Sequence, residues 1–242
     1  MRRAWVLAAL LACSVVGASA AEPPHGAGGA APGTGVHFIY LVRHGAFDRD
    51  DRADERTANP LNALGHKQAK LLGARLAALP VTYHALVTSD LLRARQTAED
   101  MGALLNMVPQ TDTLIRECTP TPEHPEYSTY HSPADIARCV ETLEAVWSRY
   151  LVPTPAADTW DVLVCHGNVI RWLTLKALGA DVRHWYGPDT ANASLTVIAV
   201  RPDGTCRLVT FNDTGHLPAE MQTWAGRGGG WTGKAKETGG MK

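Results

Sequence analysis

His37-Phe38-Ile39-Tyr40-Leu41-Val42-Arg43-His44-Gly45 is a short apolar run that stops on two basic side chains and a glycine. It does not alternate apolar with polar positions, so it reads as a strand buried on both faces rather than on one. A central strand that delivers polar residues at its C-terminal end matches the functional edge of an open α/β sheet. Two further runs repeat the pattern. Ala85-Leu86-Val87-Thr88 ends at Ser89-Asp90, and Asp161-Val162-Leu163-Val164-Cys165 ends at His166-Gly167.

Helical patterns lie between these strands. Leu61, Leu64, Leu71, Leu72, Leu76 and Leu79 recur at helical spacing before Pro80 stops the pattern. A second helix is expected over about Arg93 to Leu105. A third is expected from Pro133, which is suited to a first helical position, to about Tyr150. A fourth should run from about Asn168 to Leu178, with Gly179 at its C-cap and Asn168 as a candidate cap at its start. Leu195–Val200 and Cys206–Phe211 form a hairpin across Pro202-Asp203-Gly204. Alternating strands and helices predict an α/β fold, a three-layer sandwich with a mostly parallel central sheet and helices on both faces. The Pro- and His-containing stretch 117–132 reads as irregular. Together with the helix after it, it is expected to form an insertion over the functional end of the sheet.

The 242 residues, 45% of them hydrophobic, suit one domain with a sizeable core. A formal net charge of -1 gives no basic excess for a nucleic-acid partner. Arg2-Arg3, an apolar stretch from Trp5 to about Val16, and Ala18-Ser19-Ala20 together read as a signal peptide over 1–20. That predicts export to a periplasm or the exterior. The alternatives are an uncleaved N-terminal membrane anchor, a mitochondrial destination, or a lipoprotein signal at Cys13, against which the apolar Val15-Val16 argues. Residues 21–35 read as a flexible linker, 36–225 as the folded domain and 226–242 as a Gly-rich tail. Cys118, Cys139, Cys165 and Cys206 would remain after export. They show no CxxC spacing for zinc, and their pairing is open. Cys165, at the end of an apolar run, is expected to be a buried thiol. The acidic loop 46–58 lacks the ligand spacing and glycine of a calcium loop and reads as solvated.

If the three strands are neighbours, His44, Arg93 and His166 converge at one edge beside Arg43. Alone, each is weak, because a histidine at a strand end is more often structural and an arginine in a first turn is usually on the surface. Together they concentrate positive charge that packing does not need. A phosphate dianion does need it, because guanidinium forks match its oxygens.

The set resembles the histidine phosphatase superfamily, the phosphoglycerate-mutase-like fold. Leu41-Val42-Arg43-His44-Gly45 is similar to its signature, and Ser89-Asp90-Leu91-Leu92-Arg93-Ala94-Arg95-Gln96-Thr97-Ala98 to its second arginine motif. Leu61-Asn62-Ala63-Leu64-Gly65-His66-Lys67-Gln68-Ala69 is similar to its first-helix motif, with Asn62 in place of the usual threonine. Val164-Cys165-His166-Gly167-Asn168-Val169-Ile170-Arg171 resembles the second-histidine motif. Leu114-Ile115-Arg116-Glu117, Arg201-Pro202-Asp203-Gly204 and Asn212-Asp213-Thr214-Gly215-His216-Leu217-Pro218 resemble the branch of phosphoglycerate mutase family member five, a serine/threonine-protein phosphatase. Gly45 and Gly167 depart from that branch, which often carries other small residues there.

The resemblance implies a metal-independent phosphatase that needs no cofactor. His44 would be the nucleophile, Glu117 the general acid and then base, and Arg43, Arg93 and His166 the phosphoryl-holding groups. Its partner would be a phosphorylated protein or a small phosphomonoester. Glu123, Glu126 and Asp90 rival Glu117 as the acid. Arg171 divides between facing phosphate and lying on the surface, and His124, His131 and His216 are lesser candidates for the mouth. Competing functions are a phosphoglycerate mutase, a small-metabolite phosphatase and a catalytically dead phospho-binding module. Where a mutase would require an asparagine and aromatic residues, Ala46 to Asp54 offers only Phe47 and charged residues. The presence of every core residue disfavours a dead module.

Overall fold

A computed structural model describes residues 34–50, 52–54, 56–120 and 132–224. The expected leader, most of the linker, the tail, and Glu123, His124, Glu126 and His131 lie outside the described residues. Six strands form one sheet: β1 His37–Arg43, β2 Ala85–Thr88, β3 Gln110–Thr111, β4 Thr159–Cys165, β5 Leu195–Val200 and β6 Cys206–Asp213. Their order is β3-β2-β4-β1-β5-β6. The pairs β2–β3, β2–β4 and β1–β4 are parallel, and β5 joins both β1 and β6 antiparallel. The mostly parallel sheet is therefore present, with an antiparallel hairpin on one flank. The two-residue strand β3 was not foreseen, being too short to carry a periodic signal.

Among the described residues, four helices pack on the sheet: α1 Ala63–Ala77, α2 Leu92–Leu105, α3 Pro133–Tyr150 and α4 Gly167–Ala177. Three of their ends have a clear local cause. Asn62 caps α1 by accepting the Gly65 N–H at 2.9 Å. Ser132 and Asp135 make a reciprocal capping box at α3, with Pro133 just inside it. Gly179, at φ 65°, ends α4, and its N–H and that of Ala180 reach back to the carbonyls of Lys176 and Leu175.

Side chains alternate along β1 and β4 and so build two cores. Ile39, Leu41, Leu163 and Cys165 face α3 and α4, meeting Cys139, Leu143, Val146, Ile170 and Leu173. Tyr40, Val42, Val162 and Val164 face α1 and α2, meeting Leu72, Leu76, Ala94, Ala98 and Met101. Burying each large aliphatic side chain stabilises the fold by about 1.5–3 kcal/mol. For its helix, Pro133–Tyr150, the expected insertion is therefore corrected: α3 is part of the sandwich. Its apolar stripe is covered by the sheet and α4, and a lone helix could not bury it.

Candidate active site

β1 and β4 run side by side, with Arg43 opposite Cys165, so His44 and His166 leave the sheet together. The end of β1 is fixed on both sides. Arg43 N–H donates to Ser194 O at 3.2 Å, and His44 N–H to Cys165 O at 3.1 Å.

The His44 ring is oriented by its own chain. Its Nδ1 lies 2.8 Å from Gly45 O, and a carbonyl can only accept, so Nδ1 carries the proton. Nε2 then holds the free lone pair. Arg93 Nε–H, which can only donate, points at it from 3.3 Å. Burial, reinforced by Arg43 and Arg93, holds the imidazole well below its ordinary pKa of 6.5. The ring is neutral at neutral pH and its Nε2 is nucleophilic there without a base. Phe47 packs edge-on to His44 at 5.2 Å and lies under the Arg93 guanidinium at 4.8 Å.

His166 lies 5.2 Å from His44 between ring centroids, and its Nε2 pairs with Ser89 Oγ at 2.8 Å. Burial, then His44, Arg93 and Arg43, hold it well below 6.5 as well. Its Nδ1 has no hydrogen-bond partner among the described residues, and neither has Arg43 Nε. Buried donors are normally satisfied, and a guanidinium requires an anion. Arg43 Nη1 donates to Thr190 O. Burial, then Arg171, lowers the Arg43 pKa to about 10, which leaves it charged at neutral pH. Arg171 is mostly buried, paired with Asp189 at 2.7 Å and 5.7 Å over the Tyr186 ring. It forms a second row of charge behind Arg43.

Glu117 follows the 3₁₀ turn Thr113–Ile115. Burial pushes its carboxyl above the ordinary 4.5, although Arg93, Arg43 and Arg171 pull the other way. Oε1 accepts the Asn168 N–H at 3.2 Å. The expectation that Asn168 caps α4 is corrected: His166 is the cap residue, and Asn168 Nδ2–H instead donates to Cys118 O at 2.9 Å. Cys118 is disulfide-bonded to Cys139 of α3.

The structure thus brings His44, Arg43, Arg93, His166 and Glu117 together. Asp90 is no longer a rival acid, because the Arg116 fork holds its carboxyl below the usual range, and a carboxylate so held does not donate a proton. His216 is fixed on Ala193 O at 3.0 Å beside Arg75 and Asp213. Arg95 turns away to Arg56 O. Trp172 and Trp185 are buried, and Trp160 stacks on Phe38. Among the described residues, no group of three or more His, Cys, Asp and Glu is gathered as a metal would need.

Several supporting residues were not singled out from sequence. Thr97 Oγ1 accepts the Gly45 N–H at 3.0 Å, Gln68 Oε1 the Ala46 N–H at 2.8 Å, and Asn192 Nδ2 donates to His44 O at 3.3 Å. Ser89, Thr97 and Gln68 lie inside the motifs, so proximity to them was a signal. Thr190 and Asn192 lie in a polar loop that carried none.

Fold and site together define an α/β enzyme built around a tetrahedral phosphoryl group, with a buried neutral imidazole facing guanidinium donors. The comparisons with known proteins agree. A model of the histidine phosphatase superfamily (branch 1) matches residues 39–214. The chain is 30% identical over 253 residues to the mitochondrial serine/threonine-protein phosphatase PGAM5 of Homo sapiens, covering 84% of this chain and 85% of that one. The Xenopus tropicalis counterpart is 31% identical over 192 residues, covering 76% and 67%. A solved mycobacterial glucosyl-3-phosphoglycerate phosphatase shares the fold at a TM-score of 0.52 and 23% identity, covering 73% and 99%. The chain belongs to the histidine phosphatase superfamily, as an enzyme of its phosphatase class.

Proposed function

We propose that this protein hydrolyses phosphomonoesters in two steps through a phosphohistidine at His44, and that phosphoserine and phosphothreonine proteins are among its substrates. The observation that carries the mechanism is the His44 ring, buried and neutral, with its Nε2 lone pair aimed at Arg93 Nε at 3.3 Å. In the first step Nε2 attacks phosphorus and the ester P–O bond breaks. Glu117 gives its proton to the leaving oxygen. In the second step Glu117 takes a proton from water as the water oxygen attacks phosphorus. The N–P bond then breaks and inorganic phosphate leaves.

Arg43, Arg93 and His166 hold the equatorial oxygens in both steps. Their donors are pre-aimed in a site of low water content, where charge stabilisation is strongest. A seryl oxygen is a poor leaving group, so a carboxyl whose hold on its proton is strengthened by burial suits it. The relatives support the protein substrate. The chemistry also fits a small phosphomonoester, so a panel of phosphopeptides against phosphorylated metabolites is the deciding measurement for substrate class.

The domain of 36–225 carries this activity in our reading, and the chain is exported after cleavage before Ala21. The Cys118–Cys139 disulfide favours an oxidising compartment. No helix among the described residues is long and apolar enough to cross a membrane. Purified protein should release phosphate from p-nitrophenyl phosphate and from a phosphoserine peptide, and trap an acid-labile phosphoryl group on His44. His44→Ala should abolish both. Retained turnover in that variant would disprove the nucleophile, and inert wild-type protein would disprove the enzyme.

A further inference from the structure

The residue that works as acid sits on chain with no regular structure. Residues 116–120 belong to neither helix nor strand. Three successive residues are instead tied individually to the fold. Arg116 pairs with Asp90, Glu117 accepts the Asn168 N–H, and Cys118 is bonded to Cys139 while its carbonyl accepts Asn168 Nδ2–H. Cys139 lies in the buried stripe of α3, packed with Leu143 and Val146 on the sheet. The disulfide therefore joins the residue after Glu117 to one of the most fixed parts of the molecule.

We infer that the Cys118–Cys139 disulfide, together with Asn168, is a positioning device for Glu117, so that alkyl phosphates are cleaved at full rate only by the oxidised protein. The inference rests on the two-step reading of the site. Opening the bond requires a two-electron reductant such as a dithiol. The S–S bond breaks, each sulfur takes a proton to become a thiol, and the dithiol leaves as its own disulfide. The segment of Glu117 then keeps only noncovalent ties, and it lies in neither helix nor strand. Such segments open locally at low free energy. A displacement of about 1 Å at a reacting group costs on the order of 100-fold in rate. The nucleophile and the phosphoryl grip are carried by other elements, His44 and Arg43 at the end of β1, Arg93 in α2 and His166 at the end of β4, so they stay in place when this segment moves.

A purely stabilising disulfide would lower all activities together, so the test separates them by leaving group. p-Nitrophenolate departs without a proton, whereas a seryl alkoxide does not. The oxidised protein, the dithiothreitol-treated protein, Cys139→Ala and Asn168→Ala are compared on both substrates. The pre-steady-state rate of p-nitrophenol release should stay within about twofold across all four, which also shows that the site is folded. kcat/KM for a phosphoserine peptide should fall at least about tenfold in the last three. Unchanged peptide hydrolysis after reduction overturns the inference. So does an equal loss on both substrates. Oxidised wild type with no phosphohistidine at all would instead remove the two-step reading, and the inference with it.

Discussion

Replacing Glu117 with glutamine tests the acid assignment with little change of shape. The amide oxygen can still accept the Asn168 N–H that Glu117 Oε1 now accepts at 3.2 Å, so the side chain should stay in place. What disappears is the transferable proton and one negative charge. Positioned acid–base catalysis contributes about 10²- to 10⁴-fold, or roughly 2.7–5.5 kcal/mol of barrier. The lost charge acts in the opposite direction on binding. Arg43, Arg93 and Arg171 all act on Glu117, and Glu117 supports the charge on Arg43. Without it the grip on a dianion is stronger. Glu117→Gln should therefore lower kcat on a phosphoserine peptide by about 10²- to 10⁴-fold without raising KM, and with p-nitrophenyl phosphate, whose leaving group needs no proton, phosphoenzyme should accumulate because water is no longer activated. Steady-state kinetics with intact-mass detection of the phosphorylated protein reads both quantities. A variant that raises KM while leaving kcat alone would show that Glu117 binds substrate and transfers no proton.

Two further outcomes follow from groups already described. His44 and His166 are held neutral, with folded pKa values well below 6.5, so the unfolded chain binds protons that the folded chain refuses. Their contribution to stability is complete above pH about 6.5 and is lost as pH falls through that value toward the depressed folded pKa. The melting temperature should drop from pH 7 to pH 5, and drop less in His166→Gln; an equal drop in both proteins would count against this account. Gly65→Ala, which intrinsic propensity alone would favour by about 1 kcal/mol, should instead destabilise by roughly 1–3 kcal/mol. An added Cβ would lie 2.0 Å from Ala46 O, and Ala46 is two residues from the nucleophile. Thermal unfolding checks the sign, and phosphatase assays should show a parallel loss.

The sheet's central strands were legible because burial on both faces leaves an unbroken apolar run, and each run ended on the residue that matters. The helices were legible from periodicity and from Pro133 and Gly179. The role of α3 was not, since a stripe of Cys139, Leu143, Val146 and Tyr150 predicts burial without naming the surface it covers. In the site, His44, Arg43, Arg93 and His166 could be grouped from sequence because His44 and His166 directly follow a strand, Arg43 ends one, and Arg93 opens the helix after another. Glu117 could be placed only by resemblance, since its position depends on contacts with Asn168 and Cys118. Asn168 illustrates the limit. An amide at a helix start reads locally as a cap, and the Cys118 carbonyl that takes its side chain instead lies 50 positions away. The disulfide was open for the same reason, because its formation depends on the distance between two Cα atoms that only tertiary structure sets.

His44 and Glu117, the proposed nucleophile and acid, belong to different tiers of stability. The amides of Arg43 and His44 are bonded across two neighbouring strands in the middle of the sheet, to Ser194 and Cys165. Such amides exchange with solvent only when the whole domain opens. Among the described residues the chain at Glu117 joins no strand, so its amides exchange through smaller, local openings. Warming or dilute denaturant would then dissect the catalytic cycle before it unfolds the protein. The ability to accept a phosphoryl group would outlast the ability to pass it to water, leaving a partly loosened enzyme that stalls in its phosphorylated form.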